Sequence, residues 1–376
     1  TITNTRKVNF SMKQVKIFDL KFNQKEINFF LKNSKNIFKE GFFSNYSYVK
    51  KFESKFRKMN KSKFALSTSS GTSALEIILR SFDVKNKSVL VNSNTFIATG
   101  HAITNTGGKI VPVELEKDYF MMDPKDLKKK INKSTGAVVI VHIGGIISPN
   151  IFKIKKICKK FNVPLIEDAA QAHGSRYKNI YAGNFGDAAA ISFFTTKVMT
   201  TGEGGMITTN NKKRFNKMYS LRQFGFMKNK LLHDQVSGNY KLTEFSALLG
   251  IIELKRFKSR IKKRNIIAKI YQKHLENSKY KILKSTNPFY CNHYKQILFS
   301  KVSRDKIEKV LNKNKISLTG GVYYIPLHRQ PIYKKQLKKY KLPLTDYFCD
   351  NHFCPPCYPE LSKQDIDRIC TVLLTI

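Results

Sequence analysis

The chain has 376 residues, of which 41% are hydrophobic and 12% aromatic, so it is long enough to build a large buried core. No stretch is long and apolar enough to span a membrane, and residues 1–10 contain no hydrophobic signal core. We therefore expect a cytoplasmic protein with no membrane partner. The six cysteines are scattered along the chain, so a disulfide framework is not expected.

The formal net charge of +43 is the most unusual bulk property of the sequence. Clustered lysines and arginines would indicate a polyanion such as a nucleic acid, because they neutralise phosphates and release counterions. Here the lysines are spread from end to end, without an RNA-binding aromatic motif or zinc-finger spacing. We expect no nucleic-acid partner, and at most a general attraction for anionic small molecules.

Apolar runs alternate with helical patterns between residues 41 and 242, which is typical of an α/β sheet covered by helices on both faces. Strands are predicted at 63–67, 88–91, 109–113, 137–142, 164–167, 188–194 and 205–209. Apolar residues at three- and four-residue spacing predict helices at 73–81, 126–131 and 150–161. We predict one large domain here, with residues 1–40 as an N-terminal segment that packs on it.

The pattern changes from residue 243 onward. A long helix is predicted over 244–274, followed by short strands and by helices near 303–313 and 362–374. No linker rich in glycine, proline or serine separates this part from the preceding one. We predict a smaller C-terminal α+β domain, residues 243–376, that packs against the large domain.

A small polar turn, Ser67-Thr-Ser-Ser70-Gly71-Thr72-Ser73, follows the first predicted strand. Gly71 lets the backbone approach a ligand closely, and the free N–H groups in the first turn of the next helix favour an anion. The functional interpretation is a phosphate site. The alternative is an ordinary helix N-cap, which small polar residues commonly form.

Two further candidates lie after later strands. Phe96 follows the second strand and could stack on a planar ring, although a phenylalanine at this position more often belongs to the core. Asp168 follows the apolar run Val163-Pro-Leu-Ile, and its carboxylate could hold a pyridinium nitrogen protonated. The alternative for Asp168 is capping of the next helix.

Lys197 lies in a turn before the stretch Gly202-Glu-Gly-Gly205, 29 residues after Asp168. A lysine there can form a Schiff base with an aldehyde, whereas a solvated loop lysine is the ordinary alternative. The phosphate turn, the aromatic residue, the aspartate and the lysine appear in order at strand ends of one sheet, where open α/β sheets bind ligands. This conjunction indicates pyridoxal 5′-phosphate (PLP) as the cofactor.

A local cluster near the C-terminus contains Cys349, His352, Cys354 and Cys357, which are enough ligands for a tetrahedral zinc ion. Structural zinc sites usually join two separated pairs of ligands, and the Pro355-Pro356 dipeptide stiffens this segment. We favour ordinary thiols here and predict no metal site.

Several motifs resemble those of the DegT/DnrJ/EryC1/StrS aminotransferases. They include Glu167-Asp168-Ala-Ala-Gln171-Ala-His-Gly174, Gly183-Asn-Phe-Gly186-Asp187, Lys197 and Thr201-Gly-Glu-Gly-Gly205. The resemblance extends over nearly the whole chain, and its most specific part is the block from Asp168 to Lys197. It implies PLP-dependent transferase fold type I, the aspartate aminotransferase fold, with a large α/β/α sheet domain and a small C-terminal α+β domain.

The resemblance also implies roles for individual residues. Lys197 would form the Schiff base and move protons, and Asp168 would pair with the pyridine nitrogen. The other implied cofactor contacts are those of the phosphate with Gly71, Thr72 and Ser192, of the ring face with Phe96, and of the ring hydroxyl with Gln171. In relatives, an asparagine that matches Asn239 reaches the phosphate of the neighbouring subunit, which implies a homodimer with shared active sites. His328 matches a position that faces the sugar substrate.

The implied activity is transfer of an amino group from L-glutamate to C-3 or C-4 of a nucleotide-linked keto-6-deoxyhexose, for amino-sugar and surface-glycan biosynthesis. Relatives that dehydrate the sugar carry histidine in place of the lysine, so Lys197 argues against that branch. A cyclitol or another keto compound is an alternative substrate. A basic nucleic-acid-binding protein on a non-catalytic PLP fold is the alternative from another class, and it predicts loss of Lys197 or Asp168.

The chain departs from the family pattern at two places. It has His142-Ile-Gly-Gly145-Ile-Ile-Ser-Pro149 where relatives usually have His-x-x-Gly-x-Pro followed by an acidic residue. Lys241 stands where relatives usually have arginine, and a lysine cannot form a bidentate contact with an anion. Because of these two departures, the resemblance does not identify the sugar or the nucleotide of the substrate.

Overall fold

The computed structural model describes residues 13–227, 231–283, 285 and 290–376. Residues 1–12 lie outside this part, so the predictions made for the first ten residues, and for the start of the N-terminal segment 1–40, are not addressed by it. The rest of that segment includes a helix over Gln24–Glu40, where Asn23 and Glu26 form a reciprocal capping box. The Arg256 guanidinium donates a hydrogen bond to Glu26, which ties this helix to the body of the protein.

The strands of the described residues are, in chain order, β1 (Phe64–Thr68), β2 (Ser88–Asn92), β3 (Lys109–Val113), β4 (Thr135–Val141), β5 (Leu165–Asp168), β6 (Arg176–Tyr177), β7 (Ile180–Tyr181), β8 (Ala188–Ser192), β9 (Gly205–Thr209), β10 (Lys281–Ile282), β11 (Leu298–Phe299) and β12 (His352–Phe353). The α-helices are α1 (Gln24–Glu40), α2 (Ser47–Asn60), α3 (Gly71–Ser81), α4 (Ile97–Asn105), α5 (Pro124–Lys130), α6 (Ile151–Lys160), α7 (Lys212–Leu221), α8 (Glu244–Leu275), α9 (Arg304–Lys313), α10 (Pro331–Leu337), α11 (Pro343–Asn351) and α12 (Lys363–Thr375).

The central sheet has seven strands in the order β1-β9-β8-β5-β4-β2-β3. Strand β9 is antiparallel to both of its neighbours, and the other six strands run parallel to one another. The carboxyl ends of β1, β2, β4, β5 and β8 therefore meet at one edge of the sheet. Each of these strands is followed there by a turn that carries polar side chains.

Alternate residues of the sheet strands enter two separate apolar cores. In β2, Val89 and Val91 belong to one core and Leu90 to the other, and all three side chains are fully buried. This alternation follows from the two-residue period of a strand whose both faces are covered by helices. The predicted α/β/α arrangement of the large sheet is confirmed.

Helix α8, with 32 residues, links the large sheet to the C-terminal part of the chain. Its first half contributes Ala247 and Ile251 to the core that contains α2, and its second half contributes Ile267 and Tyr271 to a third core. The third core packs beside the small antiparallel sheet β10-β11-β12. The division of the chain into domains at residue 242 stays a prediction.

The seven strands of the central sheet lie within two residues of their predicted ends. The strand predicted over 188–194 ends at Ser192, because the chain turns there into the segment that carries Lys197. The predictions did not include α1, α2, α4, α7, α10 or α11. Within the described residues, no helix has the length and apolar character needed to cross a membrane.

Candidate active site

A cavity of about 400 Å³ lies at the carboxyl edge of the central sheet, within the size range of small-molecule sites. Seven of the nine predicted site residues line it: Gly71, Thr72, Phe96, Asp168, Gln171, Ser192 and Lys197. The topology explains this convergence, since Gly71 follows β1, Phe96 follows β2, Asp168 ends β5 and Ser192 ends β8.

The N-terminus of α3 forms one end of the cavity. Ser70 caps this helix by accepting a hydrogen bond from the Ser73 N–H, and the first N–H groups of a helix have no acceptor inside it. A Cβ atom on Gly71 would lie 2.7 Å from the Ser192 Cβ, so only glycine permits this close approach. The unpaired N–H groups and the helix dipole make this end suited to an anion.

The backbone of Ser192 is held in place by a buried histidine, His173. The His173 Nε2 lies 2.7 Å from the Ser192 carbonyl oxygen, and burial lowers the pKa of His173 to about 3. His173 is therefore neutral at pH 7, and its Nε2–H donates to that carbonyl. This contact fixes the backbone at the end of β8.

Asp168 is 5% exposed, and both of its carboxylate oxygens accept hydrogen bonds. The Thr99 hydroxyl donates to Oδ2 at 2.8 Å, and the Ala170 N–H donates to Oδ1 at 3.2 Å. Burial raises the pKa of Asp168, and the hydrogen bonds from Thr99 and Ala170 partly offset that shift. Thr95 contacts the Thr99 hydroxyl at 2.8 Å and completes the chain of polar contacts.

The strand end that carries Asp168 is fixed by Glu167, which points to the opposite face of the sheet. Glu167 is fully buried and accepts hydrogen bonds from the N–H groups of Gly183, Phe185 and Gly186, each at 2.7 Å. The His142 Nε2 lies 2.9 Å from its carboxylate. Glu167 therefore has a structural role, whereas Asp168 faces the cavity.

Lys197 lies in a tight turn after β8 and is half-buried. Its N–H donates to the Phe194 carbonyl at 2.9 Å, and the Thr201 N–H returns to the Phe193 carbonyl at 3.0 Å. Its ammonium lies 4.9 Å from the centre of the Tyr294 ring. The turn thus places the lysine in the lining of the cavity.

Gln171 is held by two partners at the cavity wall. Its Nε2 donates to the Tyr323 hydroxyl at 2.7 Å, and its Oε1 accepts from the Gly144 N–H at 2.6 Å. The Tyr323 ring lies 5.3 Å from that of Phe96, so these two rings form one aromatic surface. Burial raises the pKa of Tyr323 well above its ordinary value, so the phenol is neutral.

The sequence analysis missed Thr99, Tyr294 and Tyr323. Thr99 follows Thr95 by one helical turn just after β2, which is a signal that could have been used. Tyr294 and Tyr323 come from segments more than 90 residues beyond Lys197, in no local motif that distinguishes them from core tyrosines.

Asn239 and His328 do not line this cavity. Asn239 is exposed, and its side chain accepts a hydrogen bond from the Lys241 N–H at 3.4 Å. His328 lies with Nδ1 2.8 Å from the Ser93 hydroxyl and Nε2 3.1 Å from the Asp346 carboxylate. The substrate contact predicted for His328 stays a prediction, and both of its ring nitrogens already have partners.

The cysteine cluster near the C-terminus has the character of packed core. Cys349, Cys354 and Cys357 are buried, and among the described residues no group of three or more His, Cys, Asp or Glu side chains could hold a metal ion. His352 uses both ring nitrogens, since Nδ1 lies 2.7 Å from the Phe348 carbonyl and Nε2 accepts from the Val322 N–H. The zinc alternative is therefore not supported by the geometry.

Comparison with known proteins identifies the family. Residues 24–374 match the model of the DegT/DnrJ/EryC1/StrS aminotransferase family. This chain belongs to that family. Its relatives include the GDP-perosamine synthase of Escherichia coli O157:H7, which is 31% identical over 86% of this chain and 88% of its own. The UDP-4-amino-4,6-dideoxy-N-acetyl-beta-L-altrosamine transaminase of Campylobacter jejuni (strain 81-176) is also 31% identical, over 84% of this chain and 85% of its own.

The fold of this aminotransferase is also that of solved structures. The PLP form of the putative sugar aminotransferase Spr1654 from Streptococcus pneumoniae superimposes with a TM-score of 0.87 at 23% identity, covering 96% of this chain and 98% of its own. The predicted family, fold class and aminotransferase activity are confirmed, and the predicted cofactor agrees with the form in which that neighbour was solved.

The residues present fit PLP. The Gly71–Ser192 contact and the N-terminus of α3 form a cradle for a phosphate, and a side chain on Gly71 would fill it. A buried carboxylate (Asp168) and an amine (Lys197) line the same cavity. These three features are the anion site, the partner for a ring nitrogen and the amine that this cofactor requires.

Proposed function

We propose that this aminotransferase uses PLP to move an amino group from L-glutamate to a nucleotide-linked keto-6-deoxyhexose, at C-3 or C-4, for amino-sugar and surface-glycan biosynthesis. The observation that carries the proposal is that Asp168, Lys197 and the N-terminus of α3 face one cavity. The names of the relatives support the substrate class, since one makes GDP-perosamine and another is a transaminase of a UDP-linked amino sugar. Both relatives are 31% identical to this chain, so the comparison does not identify the nucleotide of the substrate.

PLP, when bound, withdraws electrons from the carbon that carries the reacting nitrogen. In our proposal Gly71, Thr72 and Ser192 hold its phosphate, Phe96 covers its ring face, and Gln171 contacts its ring hydroxyl. Asp168 holds a proton at the ring nitrogen. The ionised Asp168 carboxylate would form a charge-assisted hydrogen bond with that proton, and its burial would shield the contact from water.

Lys197 moves the proton. Among the described residues its ammonium contacts the Tyr294 ring but forms no hydrogen bond or ion pair. In its neutral amine form, Lys197 would take the proton from the α-carbon of the amino donor, and the resulting ammonium would give that proton to the carbon that receives the nitrogen. The same atom performs the reverse transfers when the keto sugar is aminated, so a single base serves both half-reactions.

The test is an absorbance measurement on purified protein loaded with PLP. Adding L-glutamate without an acceptor should convert the cofactor signal to that of its aminated form. A panel of GDP-, UDP- and dTDP-linked keto-6-deoxyhexoses should then restore the first signal and name the sugar. Protein that binds no PLP, or that responds to no amino donor, would contradict the proposal. If the enzyme aminates only a cyclitol ketone, its acceptor is that cyclitol and not a nucleotide-linked sugar.

We also propose that the active enzyme is a cytoplasmic homodimer whose sites are shared. The exposed side chains of Phe38 and Phe43 pack with the half-buried ring of Phe245, and the three ring centres lie 5.4 to 6.2 Å apart. Exposed apolar surface of this kind commonly marks a protein interface. A β-bridge pairs Ser44 with Thr243, so this cluster lies close in the chain to Asn239.

Mixing two inactive variants tests whether sites are shared. Lys197→Ala and Asn239→Ala should each be impaired alone. If Asn239 serves the neighbouring subunit, a hybrid dimer recovers activity, because one of its two sites then combines an intact Lys197 with an intact Asn239. Failure of the mixture to regain activity, with hybrids verified by sedimentation and tagged subunits, would contradict sharing. An active monomer would contradict the dimer itself.

A further inference from the structure

A second, smaller cavity of about 180 Å³ adjoins the candidate active site. The two cavities share Thr196, Tyr294 and Tyr323 in their walls. The smaller one is also lined by two cationic side chains, those of Arg264 and Lys295. Neither residue was singled out by the sequence analysis, and neither has a role in the cofactor contacts proposed above.

Arg264 reaches this cavity from the middle of α8 and is only 1% exposed. Its Nη1 donates to the backbone carbonyls of His293 at 3.1 Å, Tyr294 at 3.3 Å and Cys357 at 2.7 Å. Its Nε is buried and has no partner within the described residues. Arg264 therefore positions the backbone of Tyr294 and brings a positive charge that is not directly neutralised by any carboxylate in the described part of the chain.

Lys295 is also incompletely paired. Its ammonium donates to the Thr319 carbonyl at 2.6 Å, and an ammonium has three donors. Among the described residues neither Lys295 nor Arg264 forms an ion pair, and the residues that line the cavity include no aspartate or glutamate. Buried charges are normally paired, so the buried Arg264 and the partly buried Lys295, which have no carboxylate partner among the described residues, point to an anion that binds from outside the chain.

The positive charge around the small cavity shifts the pKa values of two side chains that line it, those of Lys295 and Tyr294. Burial lowers the pKa of Lys295, and the positive charges of Arg264 and Lys197 lower it further. Burial alone would raise the pKa of the Tyr294 phenol. The positive charges of Lys197, Lys295 and Arg264, together with a hydrogen bond from Thr196, outweigh burial, so that this pKa lies below its ordinary value.

We propose that Lys295 and Tyr294 bind the α-carboxylate of the amino donor in this cavity, with Arg264 as the positioning residue behind them. The Tyr294 ring connects the two sites, since its centre lies 4.9 Å from the Lys197 ammonium and 5.6 Å from that of Lys295. In an α-amino acid the amine and the carboxylate are attached to the same carbon. A donor whose amine reacts beside Lys197 therefore has its carboxylate within reach of Lys295.

The size and place of the cavity favour a carboxylate over the diphosphate of the nucleotide sugar. A volume of about 180 Å³ is below the usual range for sites that enclose a drug-sized ligand. In the sugar substrate, the diphosphate is attached to C-1, which is two or three ring bonds from a keto carbon at C-3 or C-4, whereas the carboxylate of an α-amino acid is attached to the reacting carbon itself. A cationic site directly beside the reacting carbon therefore suits the donor's carboxylate better than the diphosphate. This inference rests on the proposed transamination, because it assigns the binding site of its amino donor.

The kinetic test uses Lys295→Met in the PLP-loaded enzyme. The KM for L-glutamate in the first half-reaction should rise about tenfold or more, which is the effect expected on losing a hydrogen-bonded charge partner. The KM for the keto sugar in the second half-reaction should not change. Lys295→Arg should restore part of the glutamate affinity. The matched control is Lys363→Met, because Lys363 is an exposed lysine at the start of α12.

A binding measurement tests the same idea without catalysis. Calorimetry with 2-oxoglutarate on the PLP-loaded protein should give a Kd that rises about tenfold in Lys295→Met, whereas the Kd for UDP, GDP or dTDP stays constant. Tyr294→Phe provides a second variant if Lys295→Met lowers the melting temperature. Unchanged 2-oxoglutarate affinity in both variants overturns the proposal, and so does weakened nucleoside diphosphate binding alone. Wild-type protein that binds 2-oxoglutarate through Lys295 but transaminates no donor would instead contradict the proposed function.

Discussion

The cavity has two walls with different origins. The sheet wall, formed by Gly71, Asp168 and Ser192, comes from the carboxyl ends of strands of the central sheet and from the start of the helix that follows β1. The tyrosine wall, formed by Tyr294 and Tyr323, comes from irregular segments after α8. The first wall carries the charged and anion-binding groups, and the second carries phenols and aromatic surface.

The difference between the walls teaches which functional residues a sequence reveals. Residues of the sheet wall have to lie at strand ends, because parallel strands bring their carboxyl ends to one edge. Their spacing and chemistry are therefore visible along the chain. Residues of the tyrosine wall reach the cavity only through tertiary packing, which no local pattern encodes. We expect the sheet wall to determine whether the chemistry occurs and the tyrosine wall to tune binding and geometry.

The largest effect should come from Lys197, which faces both walls. Lys197→Ala removes the proposed proton carrier, so kcat should fall about a thousandfold or more. The melting temperature should hardly change, because the Lys197 side chain forms no hydrogen bond among the described residues. Lys213→Ala, at an exposed lysine in α7, is the control. Substantial turnover by Lys197→Ala would remove Lys197 from the chemistry.

The next largest effect should come from the sheet wall alone. Asp168→Asn keeps the size of the side chain but removes its charge, so kcat should fall about a hundredfold. The Kd for PLP, measured by titration of the PLP-free protein, should rise as well. Asp83→Asn, at an exposed loop aspartate, should leave both values unchanged. Equal kcat for Asp168→Asn and the wild type would contradict the proposed contact with the ring nitrogen.

The sequence predicted the sheet well because its strands have strong apolar signals. Strand β4, for example, is buried at every position and has a continuous run of valines and isoleucine. A signal for α1 is also visible in the sequence, because Asn23 and Glu26 have the spacing of a capping box. By contrast α4 contains threonine, glycine and asparagine, which have poor helix propensity, so its helical state depends on packing.

The same distinction holds for single residues of the site. Asp168 and Lys197 could be predicted because each combines a strand end with a specific neighbouring motif. The predicted roles of Asn239 and His328 came only from the family resemblance, and neither residue lines the cavity of this subunit. For His328 the physical reason is its pairing with Ser93 and Asp346, which occupies both ring nitrogens.

A third prediction concerns two buried histidines, one near each wall, and the stability that the protein loses as the pH falls. Behind the sheet wall, burial lowers the pKa of His173 to about 3, and near the tyrosine wall burial lowers that of His352 to about 4. Both histidines take up protons near pH 6.5 when unfolded but not when folded. Their stability contribution is therefore complete above pH 6.5 and is lost as the pH falls toward 4, by about 3 kcal/mol for His352.

Melting temperatures measured between pH 7.5 and 4.5 test this dependence. The wild type should lose stability steadily below pH 6.5. His352→Asn should be less stable at pH 7.5 but should lose less on acidification, because the depressed pKa of His352 is gone. A pH profile for His352→Asn that runs parallel to the wild type would contradict the assignment. His233→Asn is the control, since His233 is exposed.

The smallest effect is expected for Tyr323→Phe. This variant tests whether the tyrosine wall positions other groups or takes part in the chemistry. Tyr323→Phe removes the hydroxyl that accepts the Gln171 hydrogen bond at 2.7 Å, so the free energy of unfolding should fall by about 1 kcal/mol. Since Gln171 keeps its contact with the Gly144 N–H, its side chain should stay in place but become less rigid, and kcat/KM should fall a few-fold.

The neighbouring Tyr324 provides a matched control in the same segment. Its hydroxyl is buried and has no hydrogen-bond partner within the described residues, so Tyr324→Phe should cost no stability and can increase it. If both variants lose the same stability and activity, the Gln171–Tyr323 bond has no special role. If Tyr323→Phe alone lowers kcat by a hundredfold or more, the tyrosine wall takes part in the chemistry, and the division of labour between the two walls is wrong.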